Sequence, residues 1–114
     1  MTDVSSVSVE LLTAPSVDRA IGTVADIGEA QQLIVRIEPY EGMSDGDSVH
    51  LRWDTGVLRT SRIDTHVVDA TEVGLSTVFT IPQPMPGSAR VSYVVSRPSG
   101  ECRASERLEV TVRR

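Results

Sequence analysis

The side chains whose types could carry chemistry are few: two histidines (His50 and His66), one cysteine (Cys102), and three carboxylates in one loop (Glu41, Asp45 and Asp47). A nucleophilic triad needs a base held beside its nucleophile. His50 falls on the polar side of an alternating pattern, and His66 lies in a weaker pattern of the same kind. Both read as solvated strand residues rather than as bases. The chain holds no G-x-S-x-G, no H-E-x-x-H, no cysteine pair and no glycine-rich phosphate loop. Glu41, Asp45 and Asp47 could present hard oxygen ligands to calcium. The spaced ligands and terminal Glu of an EF-hand loop are missing, however, and Asp45-Gly46 is what a tight turn requires. The residue types therefore predict no catalytic centre, no metal and no cofactor. A single cysteine excludes an intrachain disulfide. Cys102 reads as a small half-buried residue rather than a reactive thiol.

The charge balance narrows the partners. All 11 basic residues are Arg, Lys and Asn are absent, and the formal net charge is −5. The missing residue types suggest a GC-rich coding genome. A nucleic-acid binder needs a basic stripe to replace counterions, and this chain has none. An anionic membrane surface is disfavoured for the same reason. Arg36, Arg52 and Arg90 could form a patch for an acidic partner, but Glu38 and Asp54 beside them predict a mixed, solvated face. Without Asn there is no N-glycosylation acceptor. Met1–Val9 lacks the basic and apolar regions of a Sec signal, and no run is long enough to span a bilayer. One cysteine fits a cytosolic protein or a cysteine-avoiding bacterial secreted one.

Strands are the elements available to position these residues. Val, Thr and Ile supply 33 of the 114 residues, and branched side chains pack well on a pleated surface. Residues 1–6 read as a polar tail, and 7–114 as one domain able to bury a core without disulfides. Val7, Val9 and Leu11 begin a first strand, which Pro15 ends. Ser16–Gln31 follows no periodicity and is expected to be the variable loop, with a short strand at Ile21–Val24 or a helical turn at Asp26–Gln32. Leu33–Glu38 alternates and stops at Pro39. Glu41–Asp47 is turn chemistry. Val49, Leu51 and Trp53 then point inward, with His50, Arg52 and Asp54 outward. After a turn at Thr55-Gly56, Arg59–Val68 alternates weakly and predicts an edge strand whose arginines discourage pairing. Val73–Ile81 is the next strand, with Phe79 and Ile81 inward. Residues 82–87 form a stiff connection. Ala89, Val91, Tyr93 and Val95 share one face of a sixth strand. A turn at Pro98–Gly100 precedes a last strand with Leu108, Val110 and Val112 inward. Seven short strands without an amphipathic helix predict an all-β, antiparallel two-sheet sandwich of immunoglobulin type; a small closed barrel is the competing architecture.

The stretch Ile37–Trp53 resembles the immunoglobulin-like repeats of large Gram-negative surface and secreted proteins of the adhesin type. There a strand ends in Pro-Tyr-x-Gly-Met, and a Gly-Asp turn leads into Val-x-Leu-x-Trp. Here those residues are Pro39, Tyr40, Gly42, Met43, Gly46, Asp47, Val49, Leu51 and Trp53. Further matches are Ala14-Pro15, Phe79-x-Ile81-Pro82, Val91-x-Tyr93-x-Val95, and Ser105 before Leu108-x-Val110. The resemblance spans about Leu11 to Val112. It departs from such repeats in being one unit with its own Met1. The motif residues have physical reasons of their own: Gly42 and Gly46 admit positive φ, Asp47 can fix the turn, Trp53 can fill the centre of a sandwich, and Tyr93 can bury its ring while its hydroxyl reaches a backbone group.

The resemblance implies a structural or binding module of a bacterial surface, adhesive or secreted assembly, with no chemistry of its own. A stand-alone accessory or decoration protein of a phage virion or secretion apparatus is the alternative, and a small carbohydrate-binding module a further one. A protein partner or larger assembly is therefore expected. Its contact surface would be a loop or a sheet edge. A glycan is possible, though only four aromatics are present to stack on one.

Overall fold

The computed structural model describes residues 11–27 and 32–113. The tail at 1–6, the start of the first strand at 7–10 and most of the expected helical turn at 28–31 lie outside them. The chain is an all-β sandwich of two sheets. Its strands are β1 (Ser16–Val17), β2 (Ala20–Ile21), β3 (Val24–Asp26), β4 (Gln32–Ile37), β5 (Ser48–Asp54), β6 (Arg62–Val67), β7 (Thr77–Pro82), β8 (Gly87–Ser96), β9 (Cys102–Ala104) and β10 (Leu108–Arg113). The small sheet has the order β1-β4-β7, and the large one β2-β3-β10-β8-β5-β6, with β9 also on β8.

Alternation builds the two inner faces. From the small sheet come Val17, Leu33, Val35, Ile37, Phe79 and Ile81, all buried. Val35 faces Phe79 across the ladder, and Leu33 faces Ile81. From the large sheet come Val49, Leu51, Trp53, Ala89, Val91, Tyr93, Val95, Val110 and Val112. Leu51 faces Tyr93, and Trp53 faces Val91. Trp53 is 2% exposed and Tyr93 2%. The hydrophobic effect thus falls on two interdigitating faces, at about 25 cal/mol per Å² of apolar surface removed from water.

Several expectations are corrected. Ser16–Gln31 is not one loop: β1, β2 and β3 occupy it, each two or three residues long. Strands so short leave no period-2 signature. β3 pairs β10 in parallel, whereas every other ladder is antiparallel. Among the described residues there are ten strand segments, where about seven strands are expected. The strand expected at Val73–Ile81 begins only at Thr77, because a turn closed by Leu75 N–H to Glu72 C=O precedes it. β9 was not anticipated, and it places Cys102 on the surface rather than half-buried. β9 and β10 lie along the same flank of β8 and part around Ser105. That residue is held twice by Tyr93: Ser105 N–H donates to the Tyr93 carbonyl, and Tyr93 N–H donates to Ser105 Oγ, both at 2.9 Å.

Candidate functional site

The carboxylate loop between β4 and β5 is tied by its own polar contacts. Leaving β4, Pro39 ends the strand and Tyr40 turns back. Tyr40 Oη donates to Asp47 Oδ2 at 2.7 Å, and Ser44 N–H donates to the same oxygen at 3.0 Å. Asp47 is completely buried, while Glu41 and Asp45 are exposed. The three carboxylates therefore do not converge. Among the described residues no group of three or more His, Cys, Asp or Glu is placed to hold a metal.

Arg97 completes this corner. Its Nη2 donates to the Gly42 carbonyl at 2.6 Å, and its Nε lies 4.0 Å from Asp47 Oδ1. Neither of the last two atoms has a hydrogen-bond partner, so the pair interacts through charge alone. Gly42 stands at φ +80°, and a Cβ there would lie 2.6 Å from Arg97 Nη2. Met43 is buried and its sulfur accepts from Gly74 N–H. Burial, and then the bond to Asp47, push the Tyr40 hydroxyl well above its usual range. Burial also raises Tyr93, opposed by Arg103; its hydroxyl donates to the Thr13 carbonyl at 2.8 Å, 80 residues away. Gly46, at φ +93°, packs against Pro98. The motif residues Pro39, Tyr40, Gly42, Met43, Gly46 and Asp47 thus form one tied corner, with Trp53 and Tyr93 in the core beneath.

The histidines are kept apart. His50 Nδ1 is 2.9 Å from Thr65 Oγ1, and His66 Nε2 donates to Glu72 Oε2 at 2.9 Å. His66 sits opposite the inward-facing Val49, whereas His50 occupies the other face. The outward arginines are divided too. Arg36 belongs to the small sheet and bonds Asp18 at 3.1 Å, which raises its pKa. Arg52 and Arg90 belong to the large sheet, where Arg52 lies 3.8 Å from Asp54. Asp54 is held below the usual carboxylate range, chiefly by the Gly56 N–H and then by Arg52 and Arg90.

The most exposed apolar side chain among those beside a groove, Leu58, lies at the far end of the large sheet. An open groove of about 640 Å³ runs beside Arg52, Trp53, Leu58, Arg62 and Ile63. Leu58 is 93% exposed and Ile63 69%. Leu58 stands in the β5–β6 turn, which Thr55, Thr60 and Ser61 tie with hydroxyl bonds, including Ser61 Oγ to the Val57 carbonyl at 2.9 Å. A turn this firmly held presents its leucine by construction. Sequence reading missed both Leu58 and Arg97; a lone apolar residue in a turn and an arginine before a proline carry no periodic signal.

The fold and this edge define an all-β sandwich domain with an apolar groove at an open end of its larger sheet. No family model matches the chain, and neither a curated protein nor a solved structure does.

Proposed function

We propose that the chain is a non-enzymatic, immunoglobulin-like structural and binding module of a bacterial surface, adhesive or secreted assembly. The observation that carries this reading is the exposed apolar groove around Leu58 and Ile63, flanked by Arg52 and Arg62. An apolar patch rimmed by charge is the usual mark of a protein-binding surface. The sheet order supports the immunoglobulin-like reading: a three-stranded sheet faces a broader one, and the chain crosses between them from β4 to β5 and from β7 to β8. The Pro39–Trp53 stretch that carries the family resemblance supports it as well, since its residues act together in one corner. A protein partner is favoured over a glycan. Trp53, Phe79 and Tyr93 are buried and Tyr40 is committed to Asp47, which leaves no ring free to stack on a sugar.

The test is binding of the immobilised domain to surface-protein extract of its own cells and to a glycan array, with Leu58→Asp in parallel. Loss of extract binding in the variant, with no glycan signal in either protein, is the expected result. Undiminished binding by the variant would remove the groove from the account, and turnover of any substrate would overturn the non-enzymatic reading.

A further inference from the structure

The outer strand of the large sheet, β6, carries a pattern that is inverted with respect to the core. Its cross-strand partners are Trp53 for Arg62, Leu51 for Asp64 and Val49 for His66. The charged residues therefore lie on the inner face, and Ile63, Thr65 and Val67 on the outer face. Ile63 is 69% exposed and Val67 57%. Beyond β6 no strand pairs, among the described residues.

Backbone geometry fixes which groups face that open edge. Val68 N–H donates to the Asp47 carbonyl and the Val68 carbonyl accepts from Gly46 N–H, both at 2.8 Å. Val68 thus bonds toward β5. In an antiparallel ladder bonded and non-bonded positions alternate, so Asp64 and His66 also bond toward β5. The N–H and C=O groups of Ile63, Thr65 and Val67 then point outward, unpaired. They form a three-residue template for another strand.

We propose that the occupant of this edge is β6 of a second copy, paired antiparallel about a two-fold axis at Thr65. In that register Ile63 meets the second copy's Val67, Thr65 meets its own counterpart, and Asp64 meets the second copy's His66. Apolar faces apolar on the outer side, and on the inner side each Asp64, which its own Arg62 already pairs, meets an imidazole rather than a second carboxylate, so no like charges face each other. Six backbone hydrogen bonds close between the outward groups. The other two-fold registers that align outward groups fare worse. An axis at Asp64 sets Asp64 against Asp64 and Arg62 against His66, and an axis at His66 sets the two imidazoles together. An axis at Ile63 draws in Ser61, whose N–H is already given to the Val57 carbonyl, and one at Val67 draws in Asp69, whose N–H is given to Glu72, so each closes fewer backbone bonds. A contact of this kind is isologous and closes at two copies. It rests on reading this end of the sheet as a binding surface but needs no occupant in the groove. Six residues a side is small beside the roughly 20–30 of a standard interface, so the pairing is concentration-dependent.

The test is sedimentation of the intact chain from low micromolar to near-millimolar concentration. The weight-average mass is expected to rise toward twice that of the monomer. Thr65→Pro removes an N–H that makes no bond to β5 and is expected to stay monomeric. A pair of surface variants tests the register without relying on proline. Ile63→Lys and Val67→Glu are each expected to weaken pairing roughly tenfold alone, and to recover it when mixed in equal amounts, because Lys then faces Glu. A wild-type chain monomeric throughout would overturn the proposal, and so would a dimer indifferent to these substitutions or variants that fail to recover on mixing. A monomer that still binds surface extract through Leu58 would sink the pairing and leave the binding-module reading standing.

Discussion

Tyr40 and Asp47 close a part-buried hydrogen bond of 2.7 Å between the end of β4 and the start of β5. The carboxylate is completely buried, accepts also from Ser44 N–H, and draws the Arg97 guanidinium toward its second oxygen. A buried charge so placed is costly to strand. Asp47→Ala is expected to destabilise by about 3 kcal/mol, since Tyr40 Oη and Ser44 N–H lose their acceptor and Arg97 loses a nearby charge. Urea unfolding of the two proteins measures it. A loss below about 1 kcal/mol, the worth of one ordinary hydrogen bond, would show that the corner is not held by this carboxylate.

Tyr40 also sets an alkaline limit. Its folded pKa lies above the unfolded value of about 10. The folded state then keeps its proton longer, so this contribution is fully present below about pH 10 and is lost as pH rises further. Tyr93 acts in the same direction. Tyr40→Phe is expected to be less stable at neutral pH by about 1.5–3 kcal/mol, with a flatter decline above pH 10. Parallel declines in both proteins would place the alkaline sensitivity elsewhere.

Gly42 and Arg97 should behave as a coupled pair. Gly42→Ala places a Cβ in the space of Arg97 Nη2 and forces an L-residue to φ +80°. The backbone strain alone is worth about 1–2 kcal/mol. In an Arg97→Ala background the steric part disappears, so the double-mutant cycle should show an interaction of at least about 0.5 kcal/mol. Strict additivity would mean that the guanidinium yields freely.

Trp53→Ala empties the centre of the core. About 3–5 kcal/mol is the usual cost for a buried aromatic residue, and Trp53 faces Val91 within the broadest contact between strands. Near-wild-type unfolding in urea would show that this side chain is not central.

The inner faces were legible because β4, β5, β7 and β8 are long enough to alternate: Leu33-Val35-Ile37 and Val49-Leu51-Trp53 announce their burial by spacing alone. β1, β2, β3 and β9 were not, because a two- or three-residue strand such as Ala20–Ile21 owes its pairing to neighbours distant in sequence. The same holds for Asp47 and Arg97, fifty positions apart and joined only by the fold. β6 was readable as an edge, but its polarity was not. The facing sheet is narrower than the large one, so the last strand has little core to cover, and Arg62, Asp64 and His66 occupy the side where hydrophobic residues would otherwise stand. The arginines that seemed to discourage pairing leave Ile63, Thr65 and Val67 to face outward together.

Amide hydrogen exchange along β6, read residue by residue at low and high protein concentration, tests the open edge most directly. In dilute solution Asp64 and His66 should be protected by their bonds to β5, while Ile63, Thr65 and Val67 exchange freely. At high concentration the same three amides should become protected and their neighbours should change little. Uniform protection of all five at the lowest concentration, or free exchange at Thr65 at the highest, would contradict an edge built to take a strand of its own kind.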